Sequence, residues 1–302
     1  MKTGAERRSP LGDEPHALRS NPAKVFPCMR FRPLIRALVF GSGLASVTSL
    51  LDGAPPEPRD REVRVAAAAD LKFALDAVFA ATTASTRGIR PVVTYGSSGS
   101  FYAQIENGAP FDLFLSADAQ YPRRLAAKGL ADGEPFLYAV GRIALWVPAS
   151  SRLDLGTLGL RALLDPSVRK VAIANPRHAP YGRAAEAAMT SLGILDGVKG
   201  KLVLGENVAQ AAQFVQSGAA DAGLVALSLA LAPQMRSAGR YVEIPLETYP
   251  RMEQGGIVTK GAQEPAAARA LRDVLLGSRG RRVLKEYGFF LPTPVPAPAS
   301  VP

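Results

Sequence analysis

The sequence of 302 residues has one cysteine, Cys28, and two histidines, His16 and His178. A disulfide framework is excluded, and a metal site built from cysteine or histidine is disfavoured, because so few ligands are present. An enzyme would depend on His178 with a serine from residues 96–100, since His16 falls in a predicted leader. The Gly-x-Ser-x-Gly spacing of a nucleophile elbow is absent there, so we interpret His178 as a hydrogen-bonding loop residue.

Motifs for nucleotides, nucleic acids and metals are also missing. Neither Gly-x-x-x-x-Gly-Lys-Ser/Thr nor Gly-x-Gly-x-x-Gly after the first strand occurs. The net charge is +10, but the arginines are scattered without interleaved aromatics, so we expect no nucleic-acid partner. Asp112 and Asp118 could offer oxygens to a cation, yet a turn partner and a helix N-cap explain them more simply. The positive surplus suits an anionic ligand without specifying one.

Both ends of the chain differ in composition from its middle. Residues 1–54 are predicted to be an export leader, with a basic segment at 29–33 and an apolar run at 34–51 that glycines and serines interrupt. This run is too interrupted to predict a membrane span. Met29 is a second candidate start. The proline-rich residues 292–302 predict a disordered tail.

Strands and helices alternate along the remaining sequence. The patterns predict strands at 63–69, 90–95, 111–116, 142–147, 170–174, 202–204 and 223–227. They predict helices at 71–79, 101–106, 119–128, 182–192, 208–216, 264–276 and 280–287. This alternation predicts an α/β protein with doubly wound parallel sheets. Breaks in the pattern predict two lobes, residues 62–141 plus 250–291 and residues 142–249.

Four strand-to-helix loops are candidates for ligand binding, and they are centred on Asp70, Ser98, Tyr181 and Val208. A helix N-terminus presents free N–H groups and the positive end of the helix dipole, so it can hold an anion without a cationic side chain. Each loop alone is equally well explained as a solvated turn with a helix cap. The four loops form an anion site only if the two lobes bring them face to face.

Six segments, in chain order, resemble the periplasmic molybdate-binding receptors of ABC transporters. They are AAAADL (66–71), YGSSGS (95–100), GAPFDLFLSAD (108–118), APYG (179–182), GENV (205–208) and YGF (287–289). The similarity extends over residues 63–290. It implies a two-lobed periplasmic binding protein of type II, with a doubly wound sheet in each lobe and a hinge between them. It further implies a monomeric receptor without catalysis or cofactor, which captures molybdate or tungstate and delivers it to an ABC permease in the inner membrane.

The resemblance also implies the ligand-binding residues. Ser98 matches a donor of both hydroxyl and N–H, Tyr181 and Val208 match N–H donors, and Asp70 stands where the family often has serine. Some members carry a ligand-binding tyrosine on the strand after the fourth loop. Ala226 takes that place here, which makes Tyr181 the candidate for an aromatic hydroxyl.

Asp70 brings negative charge to a site for anions. A carboxylate about 4 Å from a dianion costs several kcal/mol at intermediate dielectric. We expect its side chain to turn away and cap the N–H of Lys72 or Phe73. The alternative is that it accepts a proton from a protonated oxyanion such as hydrogen phosphate. A receptor for phosphate or sulfate, and an exported hydrolase using His178, are the alternative functions.

Overall fold

The computed structural model describes residues 60–292. The predicted leader, residues 1–54, and the predicted tail from residue 293 onward lie outside the described residues. No helix within 60–292 is both long enough and apolar enough to cross a membrane.

Ten strands of the described chain form two sheets of five. The first sheet contains β1 (Arg61–Ala68), β2 (Ile89–Gly96), β3 (Leu113–Ser116), β4 (Phe136–Gly141) and β10 (Met252–Val258). The second contains β5 (Ile143–Pro148), β6 (Val171–Ala174), β7 (Leu202–Gly205), β8 (Ala222–Ala226) and β9 (Gly239–Glu243). Strands β4, β9 and β10 were not among the strands predicted from the sequence.

Helices cover both sheets. The longer ones are α1 (Lys72–Ala81), α2 (Ser98–Glu106), α3 (Gln120–Ala127), α5 (Pro180–Ser191), α7 (Val208–Gln216), α10 (Pro265–Leu276) and α11 (Ser278–Glu286). The shorter ones are α4 (Leu155–Leu158), α6 (Leu195–Lys199), α8 (Leu227–Ala230) and α9 (Pro233–Ala238). Helix α7 has its predicted bounds. Helix α2 begins at Ser98, so the prediction of a turn through residue 100 is wrong.

The two sheets share one strand pattern. Their orders are β2-β1-β3-β10-β4 and β7-β6-β8-β5-β9. The first three strands of each sheet are parallel, and the last two add in antiparallel fashion. The prediction of fully parallel sheets is therefore wrong for these outer strands. The chain passes from β4 directly to β5 and returns as β10, without the helical crossover that a parallel pair needs.

Each sheet has a core of its own, which divides the described chain into two lobes. Leu75 and Leu271 belong to the core on the first sheet, and Trp146 and Met189 to the core on the second. We use the predicted limits, 62–141 plus 250–291 for lobe 1 and 142–249 for lobe 2, as working definitions below. Three small residues of lobe 1, Ala68, Ala69 and Ala117, pack into the core of lobe 2. The lobes are therefore closed on one another.

Four parallel strands position the candidate site. In lobe 1, β1 leads into a 3-10 helix at Ala69–Leu71, and β2 leads into α2. In lobe 2, a loop joins β6 to α5, and another joins β7 to α7. Ligands of doubly wound proteins bind beyond the carboxyl ends of such strands, where helices begin.

Candidate functional site

The four residues selected from the sequence line one cavity between the lobes. Asp70 and Ser98 are 1% exposed, and Tyr181 and Val208 are 3% exposed. The space between these residues that no atom fills is ≈ 190 Å³, including the part open to solvent. Its lining consists of Ala68, Ala69, Asp70, Gly96, Ser97, Ser98, Ala117, Ala179, Pro180, Tyr181, Asn207 and Val208. None of these described residues is a lysine, arginine or histidine.

Helix N-termini supply backbone donors on both sides of the cavity. Ser98 and Val208 are the first residues of α2 and α7, and Tyr181 is the second residue of α5. N–H groups of a first helical turn have no carbonyl partner inside their own helix. The Asn207 side chain accepts from the amides of Ala209 and Gln210, at 3.0 Å each, which leaves the N–H of Val208 for the cavity.

The hydroxyl group of Ser98 is oriented by a second backbone amide. Its Oγ accepts a hydrogen bond from the N–H of Ala117 at 2.9 Å, and this contact is buried. A hydroxyl that accepts in this way keeps its own proton available for another acceptor. Ser98 can therefore donate into the cavity through its hydroxyl, in addition to its N–H group.

Asp70 does not form the expected cap. Neither the 3-10 helix nor α1 has a side-chain cap, so the prediction that Asp70 caps Lys72 or Phe73 is wrong. Its Oδ2 instead accepts from the hydroxyl of Tyr181 at 2.9 Å and from Nε2 of Gln254 at 2.7 Å. A buried carboxylate is stabilised more by two such donors than by a single exposed amide. The Tyr181 hydroxyl is thus engaged by Asp70.

Burial dominates the electrostatics of Asp70. It raises the pKa of this carboxyl to about 6, against the opposing effect of the hydrogen bonds from Gln254 and Tyr181 and the smaller effect of the nearby backbone amides of Asp70 and Leu71. Burial and then the charge of Asp70 raise the pKa of the Tyr181 hydroxyl well above its usual range. The same two causes raise the pKa of Tyr138. Both tyrosines are therefore neutral, and Tyr181 donates to Asp70 whereas Tyr138 donates to the carbonyl of Ser116 at 3.0 Å.

We define the deep contact as Asp70, Tyr181, Gln254 and Ser228. Besides the bonds to Oδ2, Gln254 donates to the Tyr181 hydroxyl at 3.1 Å, and Ser228 Oγ donates to the backbone carbonyl of Asp70 at 2.7 Å. Tyr181 and Ser228 belong to lobe 2, and the other two to lobe 1. The deep contact therefore joins the lobes directly beside the cavity.

We define the rim contact as Ser97, Gly99 and Ser100 of lobe 1 with His178 and Glu206 of lobe 2. The carbonyl of His178 accepts from Gly99 N at 2.9 Å and from Ser97 Oγ at 2.7 Å. Ser100 Oγ donates to Glu206 at 2.8 Å. These bonds hold the start of α2 against the loops that precede α5 and α7.

Gly99 has no side chain because the other lobe occupies that space. A Cβ atom there would lie 2.5 Å from the carbonyl oxygen of His178 and 2.9 Å from the hydroxyl of Tyr121. At Gly99 the close approach is therefore between the lobes.

The imidazole that an exported hydrolase would need lies beside a serine. Nδ1 of His178 is 3.0 Å from Ser97 Oγ, and its Nε2 is 3.4 Å from a carboxylate oxygen of Glu206. A nucleophilic serine donates its proton to the imidazole base. Ser97 donates its proton to the backbone carbonyl of His178 instead, so the three groups act as an interlobe contact.

Gln254 and Ser228 are the members of the deep contact that the sequence did not point to. Gln254 lies within β10, is fully buried and is 184 positions from Asp70. Ser228 follows β8 and is 158 positions from Asp70. A glutamine inside a strand, directly before Gly255 and Gly256, is the one sequence signal that could have drawn attention to this place.

The other candidate acids have structural roles. Asp112 accepts from the backbone N–H of Arg64 at 2.7 Å and of Gln263 at 2.6 Å. Asp118 accepts from the N–H of Gln120 at 2.9 Å. Within residues 60–292, no group of three or more His, Cys, Asp or Glu side chains is placed to hold a metal ion.

Residues 63–290 match the family described as bacterial extracellular solute-binding protein. The chain belongs to this family. The molybdate-binding protein ModA of Azotobacter vinelandii is 38% identical over 233 residues, which cover 76% of this chain and 90% of that protein. ModA of Rhodobacter capsulatus is 38% identical over 200 residues, which cover 65% of this chain and 77% of that protein.

A solved structure supports the same assignment. The periplasmic molybdate-binding protein of Azotobacter vinelandii superposes with a TM-score of 0.70 at 33% identity, covering 76% of this chain and all of that one. The two-lobed binding-protein fold expected from the resemblance is thereby confirmed. By its family the protein is an extracellular solute-binding receptor.

Proposed function

We propose that this protein is a periplasmic receptor that captures molybdate or tungstate in the interlobe cavity and delivers it to an ABC permease in the inner membrane. The observation that carries the proposal is the cavity lining. It combines helix N-termini and an oriented hydroxyl with no cationic side chain, as suits a fully ionised oxyanion held by neutral donors. The ModA relatives named above are molybdate-binding proteins.

Four loops supply the donors in this proposal. Lobe 1 contributes the N–H of Asp70 and both the N–H and hydroxyl of Ser98. Lobe 2 contributes the N–H groups of Tyr181 and Val208. Each donor lies at or near a helix start, where the helix dipole favours negative charge. Fixed backbone donors need no rearrangement to meet an anion, so the ordering cost of binding is low.

Size provides the selectivity. Molybdate and tungstate have longer metal–oxygen bonds than the sulfur–oxygen bonds of sulfate. A cavity closed around the larger ions leaves the oxygens of sulfate short of their donors, and an unmade buried hydrogen bond is costly. We therefore expect molybdate and tungstate to bind alike and sulfate to bind weakly.

Closure couples capture to delivery. Both the deep contact and the rim contact bridge the lobes, so they exist together with a closed cavity. An anion that interacts with donors of both lobes favours the closed state over an open one. A permease that recognises the closed monomer would then receive loaded receptors and release the anion by separating the lobes.

Calorimetric titration tests the proposal. The purified protein is stripped of bound anions by partial unfolding and refolding, and then titrated with molybdate, tungstate, sulfate and phosphate at matched pH. Tight binding of molybdate and tungstate alone supports the proposal. A preference for sulfate or phosphate would replace the ligand but keep the receptor. Hydrolysis of ester substrates that His178→Ala abolishes would instead favour the enzyme.

A further inference from the structure

Asp70 is a buried carboxyl group in a cavity built for anions. Its Oδ2 receives two hydrogen bonds, but its Oδ1 is buried without a hydrogen-bond partner among the described residues. The Oε1 atom of Gln254, in the same deep contact, also lacks a partner. The contact thus contains two unmatched acceptors, and it is short of a donor.

No cation offsets the charge of this carboxyl group. Tyr181 from α5 and Gln254 from β10 donate to it, and Tyr138 from β4 lies close enough to sense its charge. Ser228 from α8 donates to its backbone carbonyl. All four side chains are neutral. An ionised Asp70 would therefore face a dianion in the same cavity with nothing to screen the repulsion.

We propose that Asp70 binds the oxyanion as a neutral carboxylic acid, with a proton on Oδ1 that donates a hydrogen bond to an oxygen of the anion. This inference rests on the proposed function. The proton comes from solvent when the anion enters the closing cleft, and it returns to solvent when the anion leaves. No other bond forms or breaks. Each captured dianion therefore brings one proton with it.

The properties of the group agree with this role. Burial already raises its pKa to about 6 in the closed protein, and a neighbouring dianion raises the pKa further. A pKa that is higher in the complex than in the free protein makes binding weaker as pH rises between the two values. The association constant then falls by up to tenfold for each pH unit in that interval, and it is constant below and above it.

The proton count of binding is the decisive measurement. Molybdate is titrated into the full-length protein at pH 7 in buffers of different ionisation enthalpy, which gives the number of protons taken up per anion. We expect a value approaching one for the wild type. Asp70→Asn should take up close to none while still binding molybdate, because asparagine supplies a donor without a proton equilibrium. Asp70→Ser serves as a second neutral variant.

Histidine is the other side chain that exchanges protons near neutral pH, so His178→Gln is the matched control. It should keep the proton uptake of the wild type, whatever its affinity. Infrared difference spectra provide a direct readout, because molybdate should produce a carboxylic acid band in the wild type and none in Asp70→Asn. Molybdate is a dianion in solution under these conditions, so a proton counted in the titration is one taken up on binding, and the infrared band assigns it to the carboxyl group.

The outcomes separate this inference from the proposed function. Wild-type binding without proton uptake, or uptake that persists in Asp70→Asn and Asp70→Ser, would overturn the role of Asp70 while molybdate remained the ligand. Asp70-dependent uptake with phosphate and no binding of molybdate would overturn the ligand and support the proton. A protein that binds none of the four oxyanions would refute both.

Discussion

The deep contact and the rim contact join the same two lobes by different physics. The deep contact places a carboxyl group that is 1% exposed among neutral donors, whereas the rim contact includes Glu206, whose side chain is 55% exposed. A charge in the deep contact carries a large desolvation cost, whereas water screens the charge in the rim contact. The deep contact is therefore suited to sensing the charge of a ligand, and the rim contact to setting how closely the lobes approach.

Among the changes to the deep contact, removing the charge of Asp70 has the largest expected effect on stability. The shift in the pKa of Asp70 from 3.8 to about 6 means that folding favours the neutral form. The neutral carboxyl of Asp70 adds to the free energy of unfolding in full below pH 3.8, and this contribution is lost as pH rises through about 6. Asp70→Asn should thus be more stable than the wild type at pH 8 by about 3 kcal/mol, since each pKa unit corresponds to about 1.4 kcal/mol.

Urea unfolding of the anion-free proteins at several pH values measures this difference. The gap between Asp70→Asn and the wild type should close below pH 4, where both side chains are neutral. Asp76→Asn, on the exposed face of α1, is the control and should follow the wild type. A wild type as stable as Asp70→Asn at pH 8 would mean that Asp70 carries its charge at no cost.

Removing a donor from the deep contact should lower the free energy of unfolding, whereas removing the charge of Asp70 raises it. The hydrogen bond from Tyr181 to Asp70 Oδ2 lowers the pKa of that carboxyl, and Tyr181→Phe deletes this bond. We expect a loss of about 2 kcal/mol in unfolding free energy at pH 8, as for hydrogen bonds to charged groups. The pKa of Asp70 should also rise above about 6.

A pair of the same chemistry with an exposed carboxylate gives the control for that experiment. Tyr95, which is half-buried, donates to the exposed Asp76 at 2.6 Å. Tyr95→Phe should therefore cost less than about 1 kcal/mol, because water replaces the lost bond. Equal losses for Tyr95→Phe and Tyr181→Phe would show that burial does not distinguish the deep contact.

The two contacts also differ in how far the sequence predicted them. The strand-to-helix loops that carry Ser98, Tyr181 and Val208 follow from local signals, because strand ends and small residues are recognised within a few positions. Only the helix start at Val208 was predicted correctly, since α2 and α5 begin at Ser98 and Pro180 and not at 101 and 182. The two lobes followed from the same patterns. Gly99 stands in the YGSSGS segment, but the reason for its small size is the carbonyl of His178, which is 79 positions away along the chain. Local sequence patterns cannot show that reason.

The deep contact was beyond local analysis. The sequence favoured a cap for Asp70, because aspartate at a helix start usually bonds to its own helix. Its actual partner Gln254 reaches it only after β10 inserts beside β3 and the lobes close. Tertiary burial reversed the preference, since the cavity offers two better donors than the helix does. The antiparallel strands were missed for a related reason, as strand direction depends on the crossing between lobes.

The rim contact is tested by filling the space at Gly99. Gly99→Ala places a Cβ atom 2.5 Å from the carbonyl oxygen of His178, so the lobes cannot close as far. Overpacking of this kind costs about 1.5 kcal/mol, which corresponds to roughly tenfold weaker molybdate binding.

Gly200→Ala is the control for this variant. Gly200 also has helical backbone angles, and no atom lies within 4 Å of the position of its missing Cβ. Calorimetry should therefore give wild-type affinity for Gly200→Ala. Wild-type affinity in Gly99→Ala as well would show that binding does not require the observed closure.

The smallest effect is expected for the exposed part of the rim contact. Ser100 donates to Glu206 at 2.8 Å, and both Ser100→Ala and Glu206→Gln should weaken molybdate binding by a few-fold at most. Because the bond is screened by water, the coupling energy from the double-mutant cycle should be below about 1 kcal/mol and should shrink as salt is added. A coupling of several kcal/mol that resists salt would mean that the rim contact is dehydrated in the loaded protein. The distinction between a charge-sensing deep contact and a screened rim contact would then fail.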